Sequence, residues 1–370
     1  MTYLDNGATT LHKPAQVSRA VQQAMQRLAN PGRGGYPAAM EAAQAVFRCR
    51  TAAGAFFGCP PERVVFTANC THGLNLAIHS LVRPGARVVI SGFEHNAVVR
   101  PLYALGAQVT VAGRKLFDWE EMLDSWEQAL GAGQDAAVFT HVSNVFGYVL
   151  PVERMARLCQ RYGVPFILDA AQSAGSRRVN LQELGAAYIA MPGHKGLLGP
   201  QGTGLLLCGA EPQPLLYGGT GSMSASREMP DFLPDRLEAG TLNVPGICGL
   251  EAGIRFLRHL GVQTVAAREE REVRRAERGL RAMGLRTFAG AHQGGTLSFL
   301  PPSGDCEEAA EAMGRRGVAL RAGLHCAPLA HESAGTLETG TIRLSFGPDA
   351  APAQTERFLQ AARQVFAAKR

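Results

Sequence analysis

The chain has 370 residues, 46% of them apolar and 18% charged, with a formal net charge of +6. That balance suits one large and one smaller packed domain and excludes a disordered or low-complexity chain. No apolar run is long enough to cross a bilayer, the first residues lack the parts of a leader, and the basic-looking segment 268–278 alternates signs like a solvated helix face. Neither membrane nor nucleic acid is therefore expected as a partner, and the cytoplasm is the expected compartment.

Taken in order, Tyr3 to Thr10 reads as an extended arm rich in turn formers, followed by helices over about 15–29 and 38–57 with the loop 30–36 between them. Arg63-Val-Val-Phe-Thr67 is a strand, and 68–75 is the turn into the next helix. A helix opening on small polar residues offers free N–H groups to an anion, although capping by Asn69 or Thr71 explains the same residues. Arg87 to Ser91 is a further strand, and His95 starts the helix after it, a common place for a surface or capping histidine. A strand over 109–112 and a helix over 118–130 precede Ala136 to Asn144, a strand whose Ser-Asn end reads by itself as a turn.

A helix over 153–162 leads to Pro165-Phe-Ile-Leu-Asp169, an apolar strand ending on an acid, with Gln172 three residues on. Carboxyl ends of such strands are where open α/β sheets bind ligands. Strands over 186–191 and 203–208 flank a Gly/Pro-rich loop carrying Lys195, 26 residues after Asp169. A lysine at such a joint is either exposed on a hairpin or held against apolar walls, where it becomes an imine-forming nucleophile. A buried acid and a lysine together are what pyridoxal phosphate requires, one at the ring nitrogen and one at the aldehyde.

From about residue 246 the pattern changes to helices over 246–259 and 264–283, strands near 294–300, 317–321 and 340–346, a helix over 305–315 and a last amphipathic helix with Phe358, Leu359, Ala362, Val365 and Phe366 on one stripe. The eight cysteines contain no C-x-x-C pair and read as reduced thiols, against a disulfide frame or zinc site. Cys326 alone lies in a polar loop, 321–328, where Arg321 and His325 are expected to give a thiolate a positive neighbourhood.

The order and spacing of these segments resemble the cysteine desulfurases, within the pyridoxal-phosphate enzymes of the aspartate-aminotransferase fold, from residue 3 to about 347. The resemblance lies in the opening Tyr3-Leu-Asp-Asn-Gly-Ala-Thr, the turn at Cys70, Thr71 and Gly73, Glu94-His95, His141-Val-Ser-Asn144, Asp169 with Gln172, Gly193-His194-Lys195, Glu238-Ala-Gly-Thr241, Arg321-Ala-Gly-Leu-His-Cys326 and the segment around Arg343. It implies a large domain, 15–245, with a mostly parallel seven-stranded sheet, and a small α+β domain from 1–14 and 246–370 carrying the cysteine loop.

The resemblance also implies roles. Lys195 would hold pyridoxal 5'-phosphate and move the substrate α-proton, with His95 stacked on the ring and assisting. Asp169 would face the ring nitrogen. Asn144 and Gln172 would meet the phenolic oxygen, and Cys70, Thr71, His194 and a neighbouring subunit's Thr241 would complete the cofactor site. Asn6, Gly7, Ala8, Asn144 and Arg343 would line the substrate site, Arg343 clamping a carboxylate. Cys326 would take sulfur from L-cysteine, or selenium from L-selenocysteine, and pass it to an acceptor protein, in a homodimer with shared sites; the alternative from another class is a catalytically silent sulfur carrier or regulatory partner that retains the fold. Pro192 stands where the family often has a hydroxyl residue for the phosphate; Asn69 and His72 also depart from its pattern.

Overall fold

The seven apolar runs of the first 208 residues all become strands of one sheet. In the computed structural model, which describes residues 1–32, 34–302 and 305–366, a short strand β1 (Thr2–Tyr3) leads to helices α1 (Ala15–Arg27) and α2 (Pro37–Phe57). Arg33, in the loop between these helices, lies outside the described residues. There follow β2 (Val64–Thr67), α3 (Cys70–Leu81), β3 (Arg87–Ser91), α4 (Asn96–Ala104), β4 (Gln108–Ala112), α5 (Trp119–Gly131) and β5 (Ala136–Thr140). Then come α6 (Val152–Arg161), β6 (Phe166–Asp169), the single turn α7 (Leu181–Leu184), β7 (Tyr188–Pro192) and β8 (Gly204–Cys208).

The sheet order is β2-β8-β7-β6-β5-β3-β4, and only β8 runs against its neighbours. Helices cover both faces, so β5 to β8 are buried along their whole length, as continuous Val/Ile/Leu-rich runs require. Register decides the site: Thr140 pairs with Asp169, and Asp169 with Ala190, which brings the carboxyl ends of β5, β6 and β7 level.

The remaining chain forms α8 (Val244–Leu260), α9 (Val262–Ala282), β9 (Arg286–Phe288), β10 (Thr296–Leu300) and α10 (Cys306–Gly314). After these come β11 (Val318–Ala319), β12 (Arg321–Gly323), α11 (Pro328–Ala334), β13 (Thr341–Ser345) and α12 (Pro352–Phe366). Strands β12, β13, β10 and β9 make an antiparallel sheet, and β1 joins β11 in parallel. Leu4, Phe299, Leu344 and Phe358 are fully buried in the second core, which binds the N-terminal arm to the C-terminal part.

The sequence reading differs from the structure at several places. The single strand expected over 317–321 is two, β11 and β12, in different sheets with Leu320 between them. Strand β9 and helix α11 are unforeseen. Helix α8, read as part of the small domain, packs along α1 and α2 with Ile247, Leu250, Ile254 and Leu257 in the main core. The alternating charges of α9 are not all solvated either: Glu269 and Glu272 are buried, Glu272 accepting from Thr355 Oγ1 at 2.6 Å. No helix among the described residues is long and apolar enough to cross a membrane.

Candidate active site

Asp169 ends β6 with its carboxylate buried. Both protein donors that reach it, the Ala171 N–H at 2.8 Å and Cys70 Sγ at 3.5 Å, meet Oδ1, so Oδ2 keeps its lone pairs for a donor in the adjoining cavity. Burial raises the pKa of Asp169, against the Ala171 N–H and Lys195, which favour the anion. Lys195 lines the same cavity, and burial lowers its pKa from the ordinary lysine value, with Arg343 pushing the same way.

The lysine loop reaches this place through backbone contact that leaves no room for side chains. A Cβ on Gly196 would strike the Ala174 carbonyl, and one on Gly175, where φ is +100°, would strike Gly196. The loop is also tied to the N-terminal arm: Thr10 N donates to the His194 carbonyl at 3.0 Å, Thr10 Oγ1 to the Lys195 carbonyl at 3.0 Å, and Thr9 Oγ1 lies 3.0 Å from His194 Nδ1.

Cys70, Thr71, His95, Asn144, Gln172 and His194 all line the cavity with Asp169 and Lys195. At the start of α3, Asn69 Oδ1 caps the His72 N–H at 2.9 Å, which leaves the Cys70 and Thr71 N–H groups at the cavity wall, where an anion would find them. His95 Nδ1 accepts from Ala97 N at 3.0 Å, fixing the proton on Nε2. Burial, with Lys195 and two arginines adding to it, lowers the His95 pKa to about 4, so the ring is neutral at pH 7. Gln172 Nε2 donates to the Gly7 carbonyl at 2.9 Å, and Asn144 Nδ2 to the His325 carbonyl at 2.7 Å.

Asn6 and Gly7 lie against β13, with Gly7 N on Ser345 Oγ at 2.7 Å and Asn6 Nδ2 on the Ser345 carbonyl at 3.1 Å. A Cβ on Gly7 would sit 3.4 Å from the Arg343 guanidinium carbon. Ala8 N caps the same turn on the Asp5 carbonyl at 3.0 Å. Arg343 is buried, with Nη1 on the Asn144 carbonyl at 3.0 Å, Nη2 on Asp5 Oδ1 at 2.7 Å and Nε without a partner.

Thr241 is not among the residues lining the lysine cavity; it is exposed beside a neighbouring one with Thr67, Ala68 and His72. Its loop is fastened to the sheet by a buried pair between Arg50 and Glu238, whose Oε1 also accepts from Phe66 N at 2.7 Å.

Cys326 is exposed, in contrast to six buried cysteines and the half-buried Cys248. Its loop reaches the site by backbone: Asn96 N, next to His95, donates to the Cys326 carbonyl at 2.7 Å. One expectation fails here. The His325 ring turns inward and is 9% exposed, and burial, with Arg343 adding to it, lowers its pKa to about 2. It is uncharged at pH 7 and gives the thiol no positive charge; Arg321 is the exposed cation of the loop.

Four residues without a role in the sequence reading hold the site in place. Asp5 pairs with Arg343, and the Arg50–Glu238 pair holds the Thr241 loop. Glu94 is fully buried with its pKa raised to about 8 by burial, and it accepts from Ser91 and from Thr140 N at 2.9 Å, joining β3 to β5 directly before His95. A charged residue between Phe93 and His95 signals nothing locally; only its burial marks it.

The sequence profile described as aminotransferase class-V matches residues 2–358. A probable cysteine desulfurase of Methanothermobacter thermautotrophicus is 31% identical over 93% of this chain and 89% of its own. The apo cysteine desulfurase of Thermococcus onnurineus superposes with a TM-score of 0.91 at 28% identity, over 99% of this chain and 94% of that one. A cysteine desulfurase of Escherichia coli, solved with an S-sulfonic acid, gives 0.86 at 25% identity over 99% and 95%.

Proposed function

Because the chain belongs to the class-V aminotransferase family, and within it to the cysteine desulfurases, we propose that it is a pyridoxal-phosphate-dependent cysteine desulfurase working through Lys195, Asp169, Arg343 and Cys326. The observation that carries this reading is one cavity lined by Asp169, His95 and Lys195, with the exposed Cys326 loop hydrogen-bonded to the residue after His95.

The cavity fits the cofactor. The free Oδ2 of Asp169 suits a protonated ring nitrogen, the neutral His95 suits a stacking partner, Asn144 and Gln172 present amides, and the Cys70 and Thr71 N–H groups suit a phosphate. Pro192, a buried strand residue, brings no hydroxyl, so α3 carries more of the phosphate. When bound, pyridoxal phosphate supplies a conjugated cationic ring that accepts electrons from the substrate. His194 is held by Thr9 and keeps the lysine loop in place.

Arg343 holds the substrate carboxylate, using the N–H groups that Asp5 and Asn144 leave free. Asn6, Gly7 and Ala8 form the wall beside it. Lys195, kept toward its neutral form by burial, takes the α-proton on Nζ, and His95 stays uncharged beside it. Cys326 Sγ attacks the substrate sulfur. As the S–S bond forms, the substrate C–S bond breaks, its electron pair stays with the β-carbon, and that carbon takes a proton. L-Alanine leaves and Cys326 carries a persulfide, whose outer sulfur passes to an acceptor protein.

Thr241 serves the phosphate of a second subunit in a homodimer. Its absence from the lining of its own lysine cavity supports this, as do the exposed apolar side chains of Tyr36, Met40 and Phe47 on and before α2 and of Tyr217 and Met223 in the loop near it.

The test is to load the protein with pyridoxal phosphate, reduce with borohydride and map the label by mass spectrometry. Label on Lys195, absent from Lys195→Ala, is expected; label elsewhere or none at all contradicts the reading.

A further inference from the structure

His325 and Cys326 are consecutive and both have left-handed backbone, φ +50° and +58°, without being glycine. Such backbone is strained for a residue with a Cβ and persists only where the surroundings hold it. Three contacts hold this pair. Asn144 Nδ2 donates to the His325 carbonyl at 2.7 Å, Asn96 N to the Cys326 carbonyl at 2.7 Å, and the His325 ring places Nε2 3.1 Å from the Thr341 carbonyl. The first two use the loop's main chain and would survive any side chain at 325. Only the third is written in the identity of residue 325.

The ring contact also fixes the tautomer. A carbonyl accepts, so Nε2 carries the proton, and Nδ1 is buried without a partner. A buried ring with an unsatisfied nitrogen is a poor core filler compared with leucine or phenylalanine, and the donor at its tip is what those residues lack. Thr341 lies on β13 two residues before Arg343, opposite Gly323 at the end of β12. The ring thus bolts the cysteine loop to the strand carrying the carboxylate-binding arginine.

We infer that His325 is the positioning residue that sets the approach of the Cys326 thiol, by tying the strained loop through Nε2–H to the Thr341 carbonyl and so to Arg343. This rests on the proposed role of Cys326 as sulfur acceptor. The imidazole donates no proton to the reaction and touches no substrate; its effect is geometric, and a misplacement of about 1 Å at a nucleophile costs on the order of a hundredfold in rate.

The variants are His325→Ala and His325→Gln, the latter placing an amide N–H where Nε2 stands. Three readouts are compared on cofactor-loaded protein: alanine formed from L-cysteine, exchange of the L-alanine α-hydrogen in D2O, which needs Lys195 but no thiol, and the rate at which iodoacetamide alkylates Cys326, followed by peptide mapping. Alanine formation is expected to fall at least about tenfold in His325→Ala, with alkylation faster and α-hydrogen exchange unchanged, and His325→Gln is expected to return alanine formation and alkylation toward wild type. Alanine formation at the wild-type rate in His325→Ala, or a parallel loss of exchange that glutamine does not rescue, overturns the inference. Wild-type desulfuration by Cys326→Ala would instead overturn the parent reading of the cysteine, which separates the two failures.

Discussion

Arg343 Nη2 lies 2.7 Å from Asp5 Oδ1, joining two residues 338 positions apart in the chain. The guanidinium is 3% exposed and the carboxylate 20%, and among the described residues Asp5 is the one carboxylate paired with this cation. Removing one member of such a pair strands the other in a poorly solvated place, at about 3 kcal/mol or more. Asp5→Ala is therefore expected to lower unfolding stability in urea by about that amount, and Asp5→Asn, which keeps an acceptor, by less than half of it. Equal unfolding midpoints for wild type and Asp5→Ala would show that the pair holds nothing.

The same arginine supplies a kinetic prediction. A lysine at 343 keeps the charge but loses the fork that reaches Asn144, Asp5 and a carboxylate together. Arg343→Lys is expected to raise KM for L-cysteine about tenfold or more, with a smaller fall in kcat. An unchanged KM would place the substrate carboxylate elsewhere.

Cysteine labelling separates Cys326 from the rest. Burial pushes the thiols of Cys59 and Cys159 up to about 12 and that of Cys306 to about 11, and Cys49, Cys70 and Cys208 are also raised by burial. Only a thiolate reacts fast, so limiting iodoacetamide at pH 7.5 is expected to label Cys326 first in the native protein, with the half-buried Cys248 well behind. Faster labelling at any other position would contradict the exposure found here.

Glu269 gives a stability signature in pH. Burial raises its pKa from 4.5 to about 8, with Arg177 opposing and Glu270 and Asp349 adding to the rise. Between those two values the folded state holds a proton that the unfolded state has lost, so this group's contribution falls as pH rises through the window. Glu269→Gln removes the slope. It is expected to match wild type near pH 5 and to exceed it at pH 9 by about 1 kcal/mol or more in urea unfolding. Parallel stability curves from pH 5 to 9 would overturn this account of Glu269.

The central sheet was readable because its strands are continuous Val/Ile/Leu runs with turn residues between them, and the acid and lysine sit at strand ends where the period breaks. Asp169 and Lys195 could thus be paired from their strand-end positions and the needs of one cofactor, and both line one cavity. What stayed hidden is tertiary. Strand β9 has three residues, too few for a period, and β11 and β12 part company at Leu320 only because their partners lie in different sheets. Charges in α9 look solvated until Thr355 and Arg177 are seen beside Glu272 and Glu269. His325 next to a cysteine suggests a cation helping a thiolate; the direction of its ring, set by the Thr341 carbonyl, decides otherwise.

The most direct measurement is alanine formation from L-cysteine by the cofactor-loaded protein in the presence of a thiol reductant, with Cys326→Ala run in parallel. Alanine from wild type, little from the variant, and a mass increase of one sulfur on the Cys326 peptide before reductant is added are expected. Equal alanine from both proteins, or none from wild type, would contradict the proposed desulfuration through Cys326.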